Sequence, residues 1–67
     1  MNATEWIAEF AAKLGIDPPD QVTVDELLAL AGDAAHASER IAAPIACFLV
    51  GRSGVDPAAA RQIAEAS

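Results

Sequence analysis

The sequence predicts an all-α domain: a compact bundle of four short helices with a central apolar third helix, in a single domain over residues 1–67. Three observations support this class. No segment alternates apolar and polar residues as a half-buried strand does. Seventeen of the 67 residues are alanine, the residue with the highest helix propensity. Capping residues, glycines and prolines recur where helices would begin and end.

The first helix is predicted to begin after Asn2, whose side chain can cap it. Glu5 follows three residues later, which completes the pattern of a capping box. Apolar residues recur at helical spacing from Trp6 to Leu14, and Gly15 is a typical stop. Two adjacent prolines in the next segment lack backbone donors and exclude the interior of a helix. That segment is therefore predicted to be a linker.

A second helix is predicted from Val24 to about Ala37. Thr23 precedes it as a capping residue, and Glu26 completes the box three residues later. On a helical wheel His36 lies away from Leu27, so we do not expect this histidine in the core.

The third helix is predicted within a stretch that includes ten consecutive uncharged residues, Ile41–Val50. A helix that is apolar nearly all round is buried, either in a core or under a partner. The residue before a proline is biased away from helix, so we predict a break between Ser38 and Ala43, followed by a helix from about Pro44 to Arg52. One long helix kinked at Pro44 is the alternative.

Ser53 and Gly54 are expected to end the third helix, and Asp56 followed by Pro57 is a typical helix start. The fourth helix is then predicted from Pro57 to about Ala66. The predicted core takes large side chains from all four helices: Trp6, Ile7, Phe10, Leu14, Leu27, Leu28, Ile41, Ile45, Phe48, Leu49 and Ile63.

Charge and cysteine content exclude several classes of function. Ten acidic residues against four basic ones give a net charge of −6, which argues against binding to nucleic acid or to an anionic membrane surface. The single cysteine, Cys47, excludes an intramolecular disulfide. One cysteine and one histidine cannot form a four-ligand zinc site in a monomer. We therefore expect no metal and no cofactor, and support from a protein partner or from a homo-oligomer.

The N-terminus shows no pattern of a signal peptide, since it is acidic and amphipathic. The ten-residue apolar run is also shorter than the roughly 20 residues that a membrane span requires. We therefore expect a cytoplasmic protein with no membrane association.

One dense polar cluster precedes the third helix: His36, Ser38, Glu39 and Arg40. A catalytic triad is not supported, because no sharp turn that would present a nucleophile is visible. Two interpretations remain. The cluster is a solvated helix end in which Asp33 or Glu39 pairs with Arg40, or it is a contact patch beside the apolar helix. The contact patch would bind a partner through His36, Ser38, Glu39, Arg40, Pro44 and Phe48.

Two other patterns carry no function. Cys47 is predicted to be a small buried hydrophobe, because no positive charge nearby would activate its thiol. A helix-turn-helix that binds DNA is not supported, because the segment 46–52 carries one basic residue in an otherwise apolar stretch.

The chain resembles a small uncharacterised helical domain of actinobacteria. The resemblance lies in the segments Trp6…Phe10, Thr23–Leu28 and Ala31–Arg40, and in Ala43–Gly51. That domain occurs alone, or fused C-terminally to the nucleotidyltransferase of molybdopterin-guanine dinucleotide biosynthesis. The resemblance brings no catalytic residues with it, and this chain has no phosphate-binding loop.

The resemblance implies a context of molybdenum-cofactor biosynthesis, or of a molybdoenzyme such as formate dehydrogenase. We therefore expect a non-catalytic protein-interaction module, an accessory domain or small subunit that is not an enzyme. The alternative is a small binding domain for a phosphorylated pterin or a guanine nucleotide, with His36, Ser38 and Arg40 as hydrogen-bond donors.

Overall fold

The structure, a computed structural model, describes residues 1–66 and contains four α-helices. They are α1 (Ala3–Leu14), α2 (Gln21–Ala37), α3 (Ala42–Ser53) and α4 (Pro57–Ala66). No strand occurs between residues 1 and 66. The predicted all-α fold of four short helices is confirmed.

Most helix ends lie where local signals place them. The Asn2 side chain accepts a hydrogen bond from the Glu5 backbone N–H at 2.8 Å. Gly15 and Gly54 end α1 and α3 with φ of 81° and 75°, values that suit glycine and that other residues rarely adopt. The Asp56 carboxylate accepts hydrogen bonds from the first turn of α4. These four ends are confirmed.

The start of α2 differs from the prediction. Asp20, not Thr23, is the capping residue, and its carboxylate accepts the Thr23 backbone N–H at 2.8 Å. Thr23 therefore lies inside the helix, which begins three residues before the predicted Val24. Both residues are good caps, and the earlier one begins the helix as soon as the two prolines end.

The segment between α2 and α3 is a true break. Residues 38–41 are not helical, and α3 begins at Ala42, so Pro44 lies in its first turn. A proline is tolerated there because its missing N–H would have no partner within the helix. The single kinked helix that the sequence left open is therefore excluded.

The central element is α2. Both α3 and α4 pack on it, whereas α1 makes no comparably extensive contact with another helix. Leu30 of α2 is the most buried large side chain, at 2% exposure. The central position predicted for α3 is thus held by α2.

An ion-pair network fixes α4 to α2. The Arg61 Nε donates to Asp33 Oδ2 at 2.9 Å, and the other guanidinium nitrogens lie 3.8 Å from Glu26 and 3.5 Å from Glu65. The Asp33 carboxylate raises the pKa of the Arg61 guanidinium, because its hydrogen bond favours the charged form. Sequence patterns could not reveal this contact, which joins residues 28 positions apart.

The predicted core was largely wrong. Among residues 1–66 the buried apolar residues are Ala11, Leu30 and Ala60, and of the eleven predicted core residues only Ile7 and Leu27 are half-buried. Small side chains let helix backbones approach closely, so alanine-rich faces form the contacts here and larger side chains point away. Nine predicted core residues are exposed: Trp6, Phe10, Leu14, Leu28, Ile41, Ile45, Phe48, Leu49 and Ile63.

Candidate functional site

The helix α3 has two faces of different character. Its inner face, toward α2, is formed by small or medium side chains that are half-buried: Ala42, Ala43, Ala46, Cys47 and Val50. The Cys47 sulfur lies 3.9 Å from the Leu27 carbonyl oxygen, which locates the contact between the two helices. Cys47 is thus partly covered at a helix–helix contact, in keeping with the packing role predicted for it.

The outer face of α3 consists of Ile41, Ile45, Phe48 and Leu49. Their exposed fractions are 75%, 59%, 60% and 57%. These four residues follow one another at helical spacing, so they form one continuous apolar surface. A contiguous exposed apolar surface of this kind on a small protein typically marks an interaction site.

The outer face of α3 is also free of negative charge. No acidic residue occurs from Ile41 to Ser53, although the chain carries ten. The charged residues that border the face are Arg52 near its C-terminal end and Glu39 and Arg40 just before its N-terminal end. This surface therefore differs in electrostatics from the rest of an acidic molecule.

The polar cluster lies at the N-terminal end of this surface. His36 occupies the last turn of α2, and Ser38 ends that helix, where its backbone N–H donates to the Ala34 carbonyl oxygen. The carbonyl oxygens of Glu39 and Arg40 accept hydrogen bonds from the first residues of α3. Backbone hydrogen bonds thus hold the segment against both helices.

The side chains of this cluster are exposed and unengaged. Among residues 1–66, the side chains of His36, Ser38, Glu39 and Arg40 make no hydrogen bond and no ion pair with another residue. Asp33 instead binds Arg61. The local pairs with Arg40 that the solvated-end interpretation expected are therefore not formed, and Arg40 presents an unpaired guanidinium.

The six residues predicted to bind a partner are all exposed. Pro44 and Phe48 are four residues apart in α3 and share its outward side, whereas the other four precede the helix. They line one side of α3 and the chain that leads into it. Their role in binding stays a prediction.

Two apolar recesses were missed by sequence reasoning. The larger, of about 470 Å³, lies between α3 and α4 above Leu30. The spacing of Ala60, Ile63 and Ala64 in α4 is the signal that could have indicated it. The second, of about 340 Å³, lies between α1, the two prolines and the Val24–Leu28 side of α2.

No three His, Cys, Asp or Glu side chains between residues 1 and 66 are placed to hold a metal ion. In the same range, no helix combines the length and apolar character needed to cross a bilayer.

Comparison with known proteins gives one assignment. The family model described as "Domain of unknown function (DUF6457)" matches residues 1–67. No curated protein and no solved structure matches the chain.

Proposed function

Since the chain belongs to the DUF6457 family over its whole length, and since α3 turns its large apolar side chains outward, we propose that it is a non-catalytic helical protein-interaction module. The observation that carries this proposal is the outer face of α3, defined above. Burial of each of these four large apolar side chains would contribute roughly 1.5–3 kcal/mol of favourable free energy, compared with leaving it in water. A partner surface that covers them would recover that free energy.

The total surface of the chain supports the same proposal. A folded monomer of 6.9 kDa is expected to expose about 4000 Å². This chain exposes 5096 Å², an excess of about 1100 Å² over that expectation. A stable protein–protein interface covers about 800 Å² on each partner. The excess is thus large enough for one complete interface.

The proposed contact patch consists of His36, Ser38, Glu39, Arg40, Pro44 and Phe48. Phe48 would supply the apolar anchor, and Arg40 would supply a guanidinium that can bind a carboxylate with two parallel hydrogen bonds. Aromatic and arginine residues are the types that most often dominate interface energies.

The cellular context is proposed from the resemblance noted above. A domain that occurs alone, or fused to the nucleotidyltransferase of molybdopterin-guanine dinucleotide biosynthesis, would act as an accessory domain or small subunit. Its partner would be a cofactor-assembly protein or a molybdoenzyme such as formate dehydrogenase, in the cytoplasm. The chemistry would then reside in the partner.

Native affinity purification followed by mass spectrometry tests this proposal. The wild-type protein should retain a molybdoenzyme or a cofactor-assembly protein in near-stoichiometric amount. Arg40→Ala and Phe48→Ala should each lower the recovery about tenfold. Lys13→Ala removes an exposed cation from α1, outside the patch, and should leave recovery unchanged. If Arg40→Ala and Phe48→Ala retain the partner as well as Lys13→Ala does, the patch is not the binding site.

Binding of a phosphorylated pterin or a guanine nucleotide is the second candidate. It is favoured by the exposed His36, Ser38 and Arg40 side chains, which can all donate to phosphate and are engaged by no other residue among 1–66. Calorimetric titration of the folded protein with guanine nucleotides and with the pterin cofactor tests it. A flat titration would dispose of this candidate and leave the interaction module standing.

A further inference from the structure

We infer that the outer face of α3 is the contact between two copies of this chain, which pair their α3 helices in antiparallel orientation about a two-fold axis. This inference rests on the proposed function, because it takes that face as an interaction surface. It names a second copy of the chain, in place of another protein, as what covers Phe48. Four features carry it: the spacing of the apolar residues, the position of their face opposite α2, the distribution of charge and the position of the polar cluster.

The spacing suits the pairing of one helix with another. Ile41, Ile45, Phe48 and Arg52 follow at intervals of four, three and four residues. This is the alternation of a heptad seam, in which side chains from two helices interdigitate along a narrow line. The first three positions are apolar, and the charged one lies at the end of the seam.

A two-fold axis makes this seam self-complementary. In an antiparallel pair centred between Ile45 and Phe48, Ile45 of one copy would pack against Phe48 of the other, and the same contact would occur twice. Contacts related by a two-fold axis use the same patch on both copies, so one apolar patch is sufficient.

The position of the face also agrees with a homodimer. The face lies on a helix whose other side is already occupied by α2, so a second copy would place α3 between two helices. That position fits its apolar character.

The distribution of charge favours this face over the exposed apolar stripe of α1. Two copies that each carry −6 repel one another, so they can approach only where carboxylates are absent. The stripe of α1, Trp6 and Phe10, is bordered by Glu5 and Glu9 in the same helix. No acidic residue occurs within α3. The outer face of α3 therefore allows the closest approach of two copies.

Charged side chains also meet at the ends of the pair. Arg52 of each copy would come toward Glu39 and Arg40 of the other, where it would meet one carboxylate and one guanidinium group.

Sedimentation equilibrium on the full chain tests the inference, over protein concentrations from about 1 μM to about 1 mM, the range of moderate to weak dissociation constants. The wild type should sediment at twice the 6.9 kDa of one chain. Ile45→Glu and Phe48→Glu should each raise the dimer dissociation constant about 100-fold or more, because every dimer would then bury two unpaired carboxylates. Val22→Glu, on an exposed residue of α2 away from the seam, is the matched control and should dimerise like the wild type.

Far-UV circular dichroism of each variant verifies that the helices are retained. Should a glutamate variant lose its helices, Phe48→Ser is measured in its place and should also weaken the dimer. A wild type that stays monomeric at all these concentrations would overturn the inference, as would a folded seam variant that dimerises normally, or a Val22→Glu variant that does not dimerise. A monomeric wild type that still retains a different protein through Arg40 would overturn the dimer alone and leave the proposed function intact.

Discussion

At the scale of single residues, the capping carboxylate of α2 shows how one side chain sets a helix boundary. Asp20 is extended in backbone conformation and accepts the Thr23 N–H, which would otherwise have no partner within the helix. That hydrogen bond favours the ionised carboxylate, so it lowers the pKa of Asp20 below its ordinary value. The start of α2 is therefore sensitive to acid.

The pH dependence of Asp20 follows from the direction of this shift. A carboxyl group whose pKa is lower in the folded state stabilises the fold above its unfolded pKa, about 3.9 for aspartate, and this contribution is lost as the pH falls further through the folded pKa. We expect Asp20→Asn to match the wild type in Tm at pH 7, because asparagine also caps well. Between pH 7 and about pH 3 the variant should lose less stability than the wild type does.

Thermal unfolding followed by circular dichroism across this pH range measures the difference. Asp56→Asn serves as the comparison, since it alters the cap of α4 in the same way. Equal acid sensitivity of the wild type and Asp20→Asn would show that Asp20 does not contribute in this manner.

At the scale of helices, the central α2 separates two leucines of the same helix into opposite environments. Leu30 is buried at 2% exposure beneath α3 and α4, whereas Leu28, two residues away, is 67% exposed. Leu30→Ala should lower the free energy of unfolding by about 2–5 kcal/mol, because it removes buried apolar contacts and leaves a cavity.

Leu28→Ala provides the matched control for this prediction. The same chemical change at an exposed position should alter the free energy of unfolding by no more than about 0.5 kcal/mol. Urea unfolding at one fixed, low protein concentration measures both variants. If Leu28→Ala were the more damaging of the two, the assignment of the buried face of α2 would be wrong.

The helices also show which features of the fold the sequence could predict. Helix ends depend on signals within a few residues, such as Asn2, Gly15 and the Asp56–Pro57 pair, so they were predicted closely. The start of α2 was misplaced because Asp20 and Thr23 are both good caps, and only the three-dimensional path after the prolines selects between them.

Burial could not be predicted in the same way, because it depends on which faces meet. The apolar run of α3 correctly indicated a helix, but no residue of that helix is buried, and the small side chains beside Cys47 are the ones that contact α2. The polar cluster from His36 to Arg40 was located correctly beside the apolar helix. Asp33 binds the distant Arg61 instead of Arg40, a contact that no local pattern indicates.

At the scale of the whole molecule, the chain has more surface and a wider mass distribution than its length requires. Its radius of gyration is 12.3 Å, compared with about 11 Å for a typical domain of this length. If two copies pair through α3 as inferred above, the stability of the fold should depend on the concentration of the chain.

Association of folded chains stabilises them by mass action, since the unfolded chains do not associate. We expect the Tm of the wild type to rise by at least about 5 °C over a hundredfold increase in protein concentration. The Tm of Phe48→Glu should stay constant over the same range. Differential scanning calorimetry at several concentrations measures both, and a constant wild-type Tm would contradict this expectation.

The limited packing of α1 affects the order in which the helices unfold. This helix is joined to α2 through a segment with two prolines and lacks the extensive helix contacts that α2, α3 and α4 share. Its departure would therefore leave the other three helices in place. Backbone amides of α1 should exchange with deuterium through such partial unfolding. Those around Leu30 in α2 should exchange only through global unfolding. The domain would thus consist of two cooperative units of unequal stability, and the first residues of the chain would form the weaker one.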